Sequence, residues 1–261
     1  MSVRSNNSVK LIGETLDVSI AEYGNGRPYL LLHGGAGPGS FTPLAIGFSK
    51  DSKAVVPTHP GFNGQPRPEW FSSIEHLTLA YLELLDTLDL RRVMVVGNSV
   101  GGWIAAEMAV RNSPRISGLI LLNSVGIEPR PTDKQIVDPS SMPPQETLKL
   151  SFYNPAKFAA SPPTPDAAKI RAENMRTLRI YGGEHFSYDP SLRSRLATIS
   201  CPTLVLWGES DHIAEKEYGR GFAESIPGAQ FETIPEAGHM PQIERPEEVL
   251  RSINGFVARI S

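Results

Sequence analysis

A Gly-x-Ser-x-Gly segment at residues 97–101 most constrains what this chain can fold into. Four apolar residues in front of it, at 93–96, predict a buried strand, and a helical pattern follows it to about residue 112. A sharp strand-to-helix turn strains its central residue and needs glycines on both sides. It presents the Ser99 hydroxyl at the carboxyl edge of a sheet, where the new helix also points unpaired N–H groups. The segment alone also fits an ordinary glycine-rich turn, but its flanks favour a nucleophilic serine.

Buried strands alternate with helices along most of the chain. An antiparallel hairpin is predicted at 8–22. Short apolar runs predict central strands at 29–32, 54–56, 93–96, 116–122, 203–207 and 229–234. Helices are predicted at 41–49, 73–88, 99–112, 214–225 and 246–259. This order predicts an α/β fold with a mostly parallel central sheet flanked by helices, whose ligands lie beyond the carboxyl ends of the strands.

The middle of the chain differs in character from its two ends. Ten of the 23 prolines lie between residues 123 and 200, and we find no strand signal there. Short helical stretches, such as 145–153 and 165–178, alternate with helix breakers. We therefore predict a core made of residues 1–122 and 198–261, with a helical insert at 123–197 over the sheet.

A serine hydroxyl is a weak nucleophile and needs a neighbouring base, most often a histidine. The candidates are His33, His59, His76, His185, His212 and His239. His239 follows the last predicted strand and comes after Ser99, as the base does in hydrolases that carry Gly-x-Ser-x-Gly. We predict that His239 is the base; the alternative is a structural histidine in the final loop.

The carboxylate that orients the base should also follow a strand. Glu209 and Asp211 come directly after the strand at 203–207. Asp211 is the better candidate, because Glu209 lies on the turn itself and should point to solvent. The alternative for Asp211 is the N-cap of the helix predicted at 214–225, since aspartate is a favoured cap.

The glycine-rich loop after the strand at 29–32 has a separate predicted role. Acyl transfer builds negative charge on a carbonyl oxygen, which needs two preset N–H donors. Val100 would supply one donor, and Gly35, or less favourably Ala36, would supply the other. A phosphate-binding loop is disfavoured, because neither the third glycine of G-x-G-x-x-G nor the lysine of a P-loop is present at 33–42.

The apolar and aromatic side chains of the insert suggest how a substrate would be held. Pockets for small molecules are mostly apolar. We predict substrate contacts from Phe152, together with Ala36 and Met240 beside the predicted oxyanion and base loops. Most other large apolar side chains of the insert should simply pack it onto the core.

Composition excludes several classes of function. The net charge of −3, with no run of five or six like charges, argues against nucleic acid as a partner. The single cysteine, Cys201, allows neither an internal disulfide nor a cysteine-based metal site. The first seven residues have no apolar signal region, and no stretch approaches 18 apolar residues. We expect a cytoplasmic monomer or homodimer that needs no metal or cofactor, binds no membrane and acts on a small molecule.

Together these segments resemble the α/β-hydrolase fold superfamily over nearly the whole chain. The resemblance rests on 33–35, 97–102, 207–211 and 238–239, which match the oxyanion loop, nucleophile turn, acid loop and base loop in order. It implies that 123–197 is the cap. The serine argues against the dehalogenases and epoxide hydrolases of this fold, which use an aspartate nucleophile. Gly-Asn-Ser-x-Gly-Gly and the Phe-Tyr-Asn-Pro at 152–155 are similar to meta-cleavage C–C hydrolases.

We therefore expect a carboxylesterase for small apolar esters, acting through Ser99, His239 and Asp211. The second expectation is hydrolysis of a C–C bond in a vinylogous diketone by the same groups. The third is a ligand-binding receptor that keeps the fold without useful catalysis, which the full set of triad residues disfavours.

Overall fold

The computed structural model describes residues 4–134, 136–158 and 164–260, so residues 1–3, 135, 159–163 and 261 of the predicted core and insert lie outside it. The strands are β1 Arg4–Leu11, β2 Leu16–Tyr23, β3 Arg27–Leu32, β4 Ser52–Pro57, β5 Val93–Asn98, β6 Ile116–Leu122, β7 Gly126–Ile127, β8 Tyr188–Asp189, β9 Thr203–Gly208 and β10 Gln230–Ile234. The helices are α1 Thr42–Phe48, α2 Ile74–Thr87, α3 Val100–Val110, α4 Pro144–Ser151, α5 Pro155–Phe158, α6 Pro165–Gly182, α7 Leu192–Arg195, α8 Lys216–Glu224, α9 Pro241–Glu244 and α10 Pro246–Ile260. Short 3₁₀ helices lie at Pro38–Phe41 and Leu196–Thr198.

Within the described residues, eight strands form one sheet in the order β1-β2-β4-β3-β5-β6-β9-β10. β1 and β2 are antiparallel to their neighbours, and the other strands run parallel. The predicted α/β fold with a mostly parallel sheet is therefore confirmed. β5 lies between β3 and β6, so the turn that follows it opens at the middle of the carboxyl edge.

Both faces of the sheet are covered, because the central strands are apolar on both sides. Along β3 the side chains of Leu30 and Leu32 enter one core, which includes residues of α2, α3 and α8. Tyr29 and Leu31 enter the other core, which includes residues of α1 and α10. This two-sided burial explains why the parallel strands read as continuous apolar runs instead of alternating patterns.

The segment after β6 adds helices α4 to α6, but it also contains a short strand pair. β7 and β8 have two residues each and pair in parallel. The expectation that this segment lacks strands was therefore wrong. Two-residue strands are too short to leave a periodic pattern in the sequence.

Helix α6 is fastened to the loop after β4 by one of its faces. Asn174 accepts a hydrogen bond from the Asn63 N–H (2.8 Å), and its amide donates to the Asn63 side chain (3.0 Å). One and two turns further on, Thr177 donates to the carbonyl of Gly61 (2.9 Å) and Tyr181 to that of Pro60 (2.8 Å). The spacing of these three positions places them on one side of a helix. These hydrogen bonds hold α6 above the carboxyl edge of the sheet.

In the part of the chain that the structure describes, no helix combines the length and the apolarity that crossing a lipid bilayer requires.

Candidate active site

Ser99 occupies a strained turn between β5 and α3. Its backbone has φ 56° and ψ −122°, a conformation that residues with a side chain seldom adopt. The flanking glycines are required by close packing. A Cβ atom on Gly97 would lie 2.2 Å from the carbonyl oxygen of Gly101, and one on Gly101 would lie 1.9 Å from that of Leu32. The turn lines a cavity at the carboxyl edge, as the sequence predicted for this motif.

The structure brings the three predicted triad residues together. His239 Nε2 lies 3.0 Å from Ser99 Oγ, and His239 Nδ1 lies 2.8 Å from Asp211 Oδ2. The Asp211 and His239 side chains are almost completely buried. The imidazole therefore lies between the hydroxyl and the carboxylate, at hydrogen-bond distance from both.

Asp211 is held by four N–H donors. One oxygen, Oδ1, accepts from the backbone N–H groups of Ile213 (2.8 Å) and Ala214 (3.1 Å). The other, Oδ2, accepts from His239 and from the side-chain amide of Asn123 (2.7 Å). The alternative of a helix N-cap does not hold, since α8 begins at residue 216 with Glu215 as its N-cap residue. Oδ1 instead accepts hydrogen bonds from two backbone N–H groups in the loop before that helix.

The competing carboxylate, Glu209, is exposed and accepts a hydrogen bond from Thr233 (3.1 Å). It therefore points away from the histidine, as the sequence predicted.

The loop that carries His239 is anchored on three sides. The His239 N–H donates to the carbonyl of Ser151 at the end of α4 (2.8 Å). Its carbonyl accepts from the Asn98 amide (3.1 Å), beside the nucleophile. Glu244 accepts from the Gly238 N–H (2.6 Å) and, through the same carboxylate, from the N–H groups at 153 and 154. The base loop is therefore tied both to the sheet and to the segment above it.

The two predicted oxyanion donors face the same cavity as the serine. Gly35 and Val100 both line it, and Ala36 does too. Among the described groups, none accepts a hydrogen bond from the N–H of Gly35 or of Val100. Two unpaired N–H donors on residues that line the same cavity as the hydroxyl suit a carbonyl oxygen that gains negative charge.

Buried histidines fix the shape of the Gly35 loop. The His33 ring donates through Nδ1 to the carbonyl of Gly34 (2.8 Å), and its Nε2 accepts from the His59 N–H (3.1 Å). The His59 ring donates through Nε2 to the carbonyl of His33 (2.8 Å), and its Nδ1 accepts from the Tyr81 hydroxyl. Each ring thus has one donor and one acceptor nitrogen, which only a neutral imidazole provides.

Burial favours this neutral state for both rings. It lowers the pKa of His33 to about 4, against the weak opposing effect of the bond to Gly34. It also lowers the pKa of His59 well below its ordinary value, and the neighbouring His33 lowers it further.

The cavity has a volume of about 460 Å³, within the usual range for a small-molecule site. All three predicted substrate contacts, Ala36, Phe152 and Met240, line it. One cation also lines it: Arg171 on α6, half-buried. Burial lowers the pKa of the Arg171 guanidinium, and no charged group within the described residues opposes this effect. A guanidinium nonetheless stays protonated at neutral pH.

Comparison with known families decides what kind of protein has this site. The model of the alpha/beta hydrolase family matches residues 29–252. The chain belongs to the alpha/beta hydrolase family.

Relatives of this alpha/beta hydrolase include two bacterial hydrolases. The 2-hydroxy-6-oxononadienedioate/2-hydroxy-6-oxononatrienedioate hydrolase of Paraburkholderia xenovorans is 30% identical over 67% of this chain, and the match spans 65% of that relative. The 2-hydroxymuconate semialdehyde hydrolase of Pseudomonas putida is 25% identical over 92% of this chain and 90% of its own length. The chain thus spans just under two thirds of the first relative.

Among solved structures, a thermophilic esterase from Thermogutta terrifontis superposes with a TM-score of 0.77. The match covers 98% of this chain and 99% of that one at 23% identity, so it shows a shared fold.

Three residues at the site of this alpha/beta hydrolase were missed by the sequence analysis. Asn123 follows β6 directly, and that position at the carboxyl edge was a usable signal. Glu244 lies five residues after His239, but nothing in the sequence distinguishes it from other helical glutamates. Arg171 is one of several cations on α6, and only the fold indicates which of them faces the cavity.

Proposed function

We propose that this alpha/beta hydrolase is a serine-dependent carboxylesterase for small, largely apolar esters. The observation that carries the proposal is the 3.0 Å contact between His239 Nε2 and Ser99 Oγ, in a cavity that Gly35 and Val100, each with an unpaired N–H, also line. Ester hydrolysis needs only a nucleophile, its base and an oxyanion site, and the described residues offer a candidate for each.

The proposed reaction has two halves. His239 takes the Ser99 proton as Oγ attacks the ester carbonyl, and the N–H groups of Gly35 and Val100 stabilise the oxyanion. His239 then gives the proton to the leaving alcohol, which leaves an acyl group on Ser99. Water attacks the acyl group with His239 again as base, and the acid is released with the serine restored. Asp211 holds the Nδ1–H tautomer and stabilises the imidazolium.

The segment at 123–197 is, in this proposal, a cap over a core of 1–122 and 198–261. Its helices α4 and α6 contribute much of the cavity lining, including Thr147 and Met175. Because this lining is largely apolar and the cavity is small, it favours a short acyl chain or a small aromatic group over a long polar substituent. The cytoplasmic location, the monomeric or dimeric state and the absence of membrane and nucleic-acid partners stay predictions.

A second candidate is hydrolysis of a C–C bond, and two observations favour it. Both relatives are named as hydrolases of 2-hydroxy-oxo compounds of the kind that meta-cleavage C–C hydrolases act on, and one is named for a dienedioate. Arg171 places a cation without an acidic partner among the described residues in a largely apolar cavity, and a carboxylate would pair with it. In that reaction His239 takes the Ser99 proton as Oγ attacks the ketone carbonyl, and the C–C bond breaks with its electron pair entering a conjugated enolate. His239 then gives the proton to a carbon of that enolate, and water releases the acyl group from Ser99 as a carboxylic acid.

Turnover of p-nitrophenyl butyrate by the wild type and by Ser99→Ala tests the first candidate. We expect hydrolysis by the wild type and a loss of about 10⁴-fold or more in the variant, because the nucleophile is gone. A fluorophosphonate should label the wild type at Ser99 and leave the variant unlabelled. The control is Ser194→Ala, an exposed serine on α7, which should keep full activity and labelling.

Parallel assays with a ring-fission diketone separate the two candidates. Inactivity on a panel of esters together with turnover of the diketone would replace the ester proposal by the second. Failure of the wild type to react with esters, diketone and fluorophosphonate alike would overturn both and favour a binding protein.

A further inference from the structure

Asn123 is fully buried at the point where β6 ends and the segment above the sheet begins. Its backbone N–H donates to the carbonyl of Leu206 (3.0 Å), which continues the ladder between β6 and β9. Its backbone φ is +43°, so the chain turns sharply there. This turn brings the side chain to the acid loop after β9.

The orientation of the Asn123 amide is dictated by its two partners. Its Oδ1 accepts from the backbone N–H of Gly208 (3.1 Å), a group that can only donate. The Nδ2 group must therefore face Asp211, and it donates to Oδ2 at 2.7 Å. That is the oxygen that also accepts from His239. Asn123 thus acts on the carboxylate oxygen that orients the base.

The hydrogen bonds to both oxygens of Asp211 fix the orientation of its carboxylate. With Oδ1 held by the N–H groups of Ile213 and Ala214, and Oδ2 held by Asn123, the carboxylate plane cannot rotate about its last side-chain bond. The fourth bond, to His239, is then made by an oxygen of fixed position.

We propose that Asn123 is a positioning residue for the hydrolytic reaction. It aims Oδ2 of Asp211 at His239 Nδ1, so that Nε2 stays free to accept the Ser99 proton. The inference rests on the proposed function, because it assigns Asn123 a part in the same reaction. Asn123 itself touches neither the hydroxyl nor the imidazole in any hydrogen bond within the described residues.

A purely structural role makes a different prediction. Asn123 also bridges β6 to β9 through its backbone N–H and through Oδ1, and such a bridge would serve stability alone. The substitution Asn123→Asp keeps both of these contacts, because one carboxylate oxygen can still accept from Gly208. It replaces only the donor that faces Asp211, so it separates the two roles.

Asn123→Asp should give the enzyme a new dependence on pH. Two carboxylates at hydrogen-bond distance cannot both ionise easily, so the pair shares one proton at lower pH. That proton restores a donor toward Asp211. As the pH rises the proton is lost, and repulsion displaces Oδ2 from His239. The titratable groups in this contact network are the two carboxylates and His239; the other donors are backbone N–H groups.

The experiment is the pH profile of kcat/KM for p-nitrophenyl butyrate, measured for the wild type and Asn123→Asp. We expect the variant to lose about 10-fold or more of its relative activity between neutral and alkaline pH, over a range in which the wild type stays level. Asn123→Leu, which loses both side-chain bonds, should lower kcat about 10- to 100-fold with little change in KM. The control is Asn112→Asp, an exposed asparagine with a similar φ of 48°, which should match the wild type.

The rate of fluorophosphonate labelling at Ser99 gives a second measurement that does not depend on the substrate. It should fall in both Asn123 variants, and urea unfolding corrects each rate for the folded fraction. Identical pH profiles for the wild type and Asn123→Asp, or losses explained by unfolding alone, would overturn the positioning role. A wild type that neither hydrolyses the ester nor is labelled would instead overturn the proposed function.

Discussion

His239 Nδ1 lies 2.8 Å from Asp211 Oδ2, although 28 positions separate the two residues in the chain. A carboxylate oxygen can only accept, so the hydrogen of the neutral imidazole must sit on Nδ1. Nε2 then carries a lone pair that points to the Ser99 hydroxyl. The tautomer that a general base requires is thus set by the acid loop after β9.

Asp211→Asn should lower kcat by about 10³- to 10⁴-fold, measured with p-nitrophenyl butyrate. The substituted amide can donate to Nδ1, which moves the imidazole hydrogen to Nε2 and removes the lone pair that Ser99 needs. Glu209→Gln changes an exposed carboxylate on the same loop and should leave kcat within about twofold. Equal losses in both variants would mean that the loop, and not the tautomer, matters.

Gly101→Ala should destabilise the protein by about 3 kcal/mol or more in urea unfolding. A Cβ there would lie 1.9 Å from the carbonyl oxygen of Leu32, which belongs to the neighbouring strand and cannot move away cheaply. Gly39→Ala is the matched control, because a Cβ on Gly39 meets no atom within 4 Å. Similar unfolding midpoints for the two variants would contradict the packing argument.

The sequence alone was sufficient to predict those parts of the fold that a short continuous segment determines. The strand-turn-helix around Ser99 is such a case, since the apolar run, the glycines and the helix all lie within 20 residues. Asp211 was preferred to Glu209 from position alone, and the structure brings only Asp211 to His239. Contacts between distant segments could not be predicted. Asn123 follows β6 and binds Asp211 after the neighbouring strand β9, 88 positions later in the chain, and no short-range pattern encodes such a contact.

The segment at 123–197 was harder to interpret for a related reason. Its elements are short, and they are held by contacts to the core more than by their own periodicity. The bonds from Asn174, Thr177 and Tyr181 to the loop at 60–63 join residues more than 100 positions apart. Their i, i+3, i+7 spacing is visible in the sequence, but the loop that they bind is not.

The free energy of unfolding should fall as the pH drops below about 6.5. In the unfolded chain a histidine takes up a proton near that pH, whereas the folded protein keeps His33 neutral down to about pH 4. Between these values the unfolded state binds more protons, so acid favours unfolding. The stabilisation from a neutral His33 is complete above about pH 6.5, and about 3 kcal/mol of it is lost on the way to pH 4.

Urea unfolding at several pH values between 4.5 and 7.5 measures this slope. His33→Gln should make this slope clearly shallower, whatever the variant's stability at neutral pH, because one of the two buried neutral histidines is gone while His59 remains. His76→Gln, which removes a half-exposed histidine, should leave the slope as it is in the wild type. A His33→Gln slope equal to that of the wild type would show that other groups cause the acid sensitivity.

Arg171→Leu should change which substrates the enzyme prefers more than how fast it reacts. A carboxylate paired with this half-buried guanidinium gains about 1.5–3 kcal/mol, so kcat/KM for a monoester of a dicarboxylic acid, such as p-nitrophenyl succinate, should fall about 10- to 100-fold. For neutral p-nitrophenyl butyrate it should stay within about threefold, because no ion pair is lost there. Arg176→Leu removes an exposed cation from the same helix and should leave kcat/KM for both substrates unchanged. An unchanged preference in Arg171→Leu would remove the charge argument for an acidic substrate, and with it one of the two observations that favour C–C bond hydrolysis.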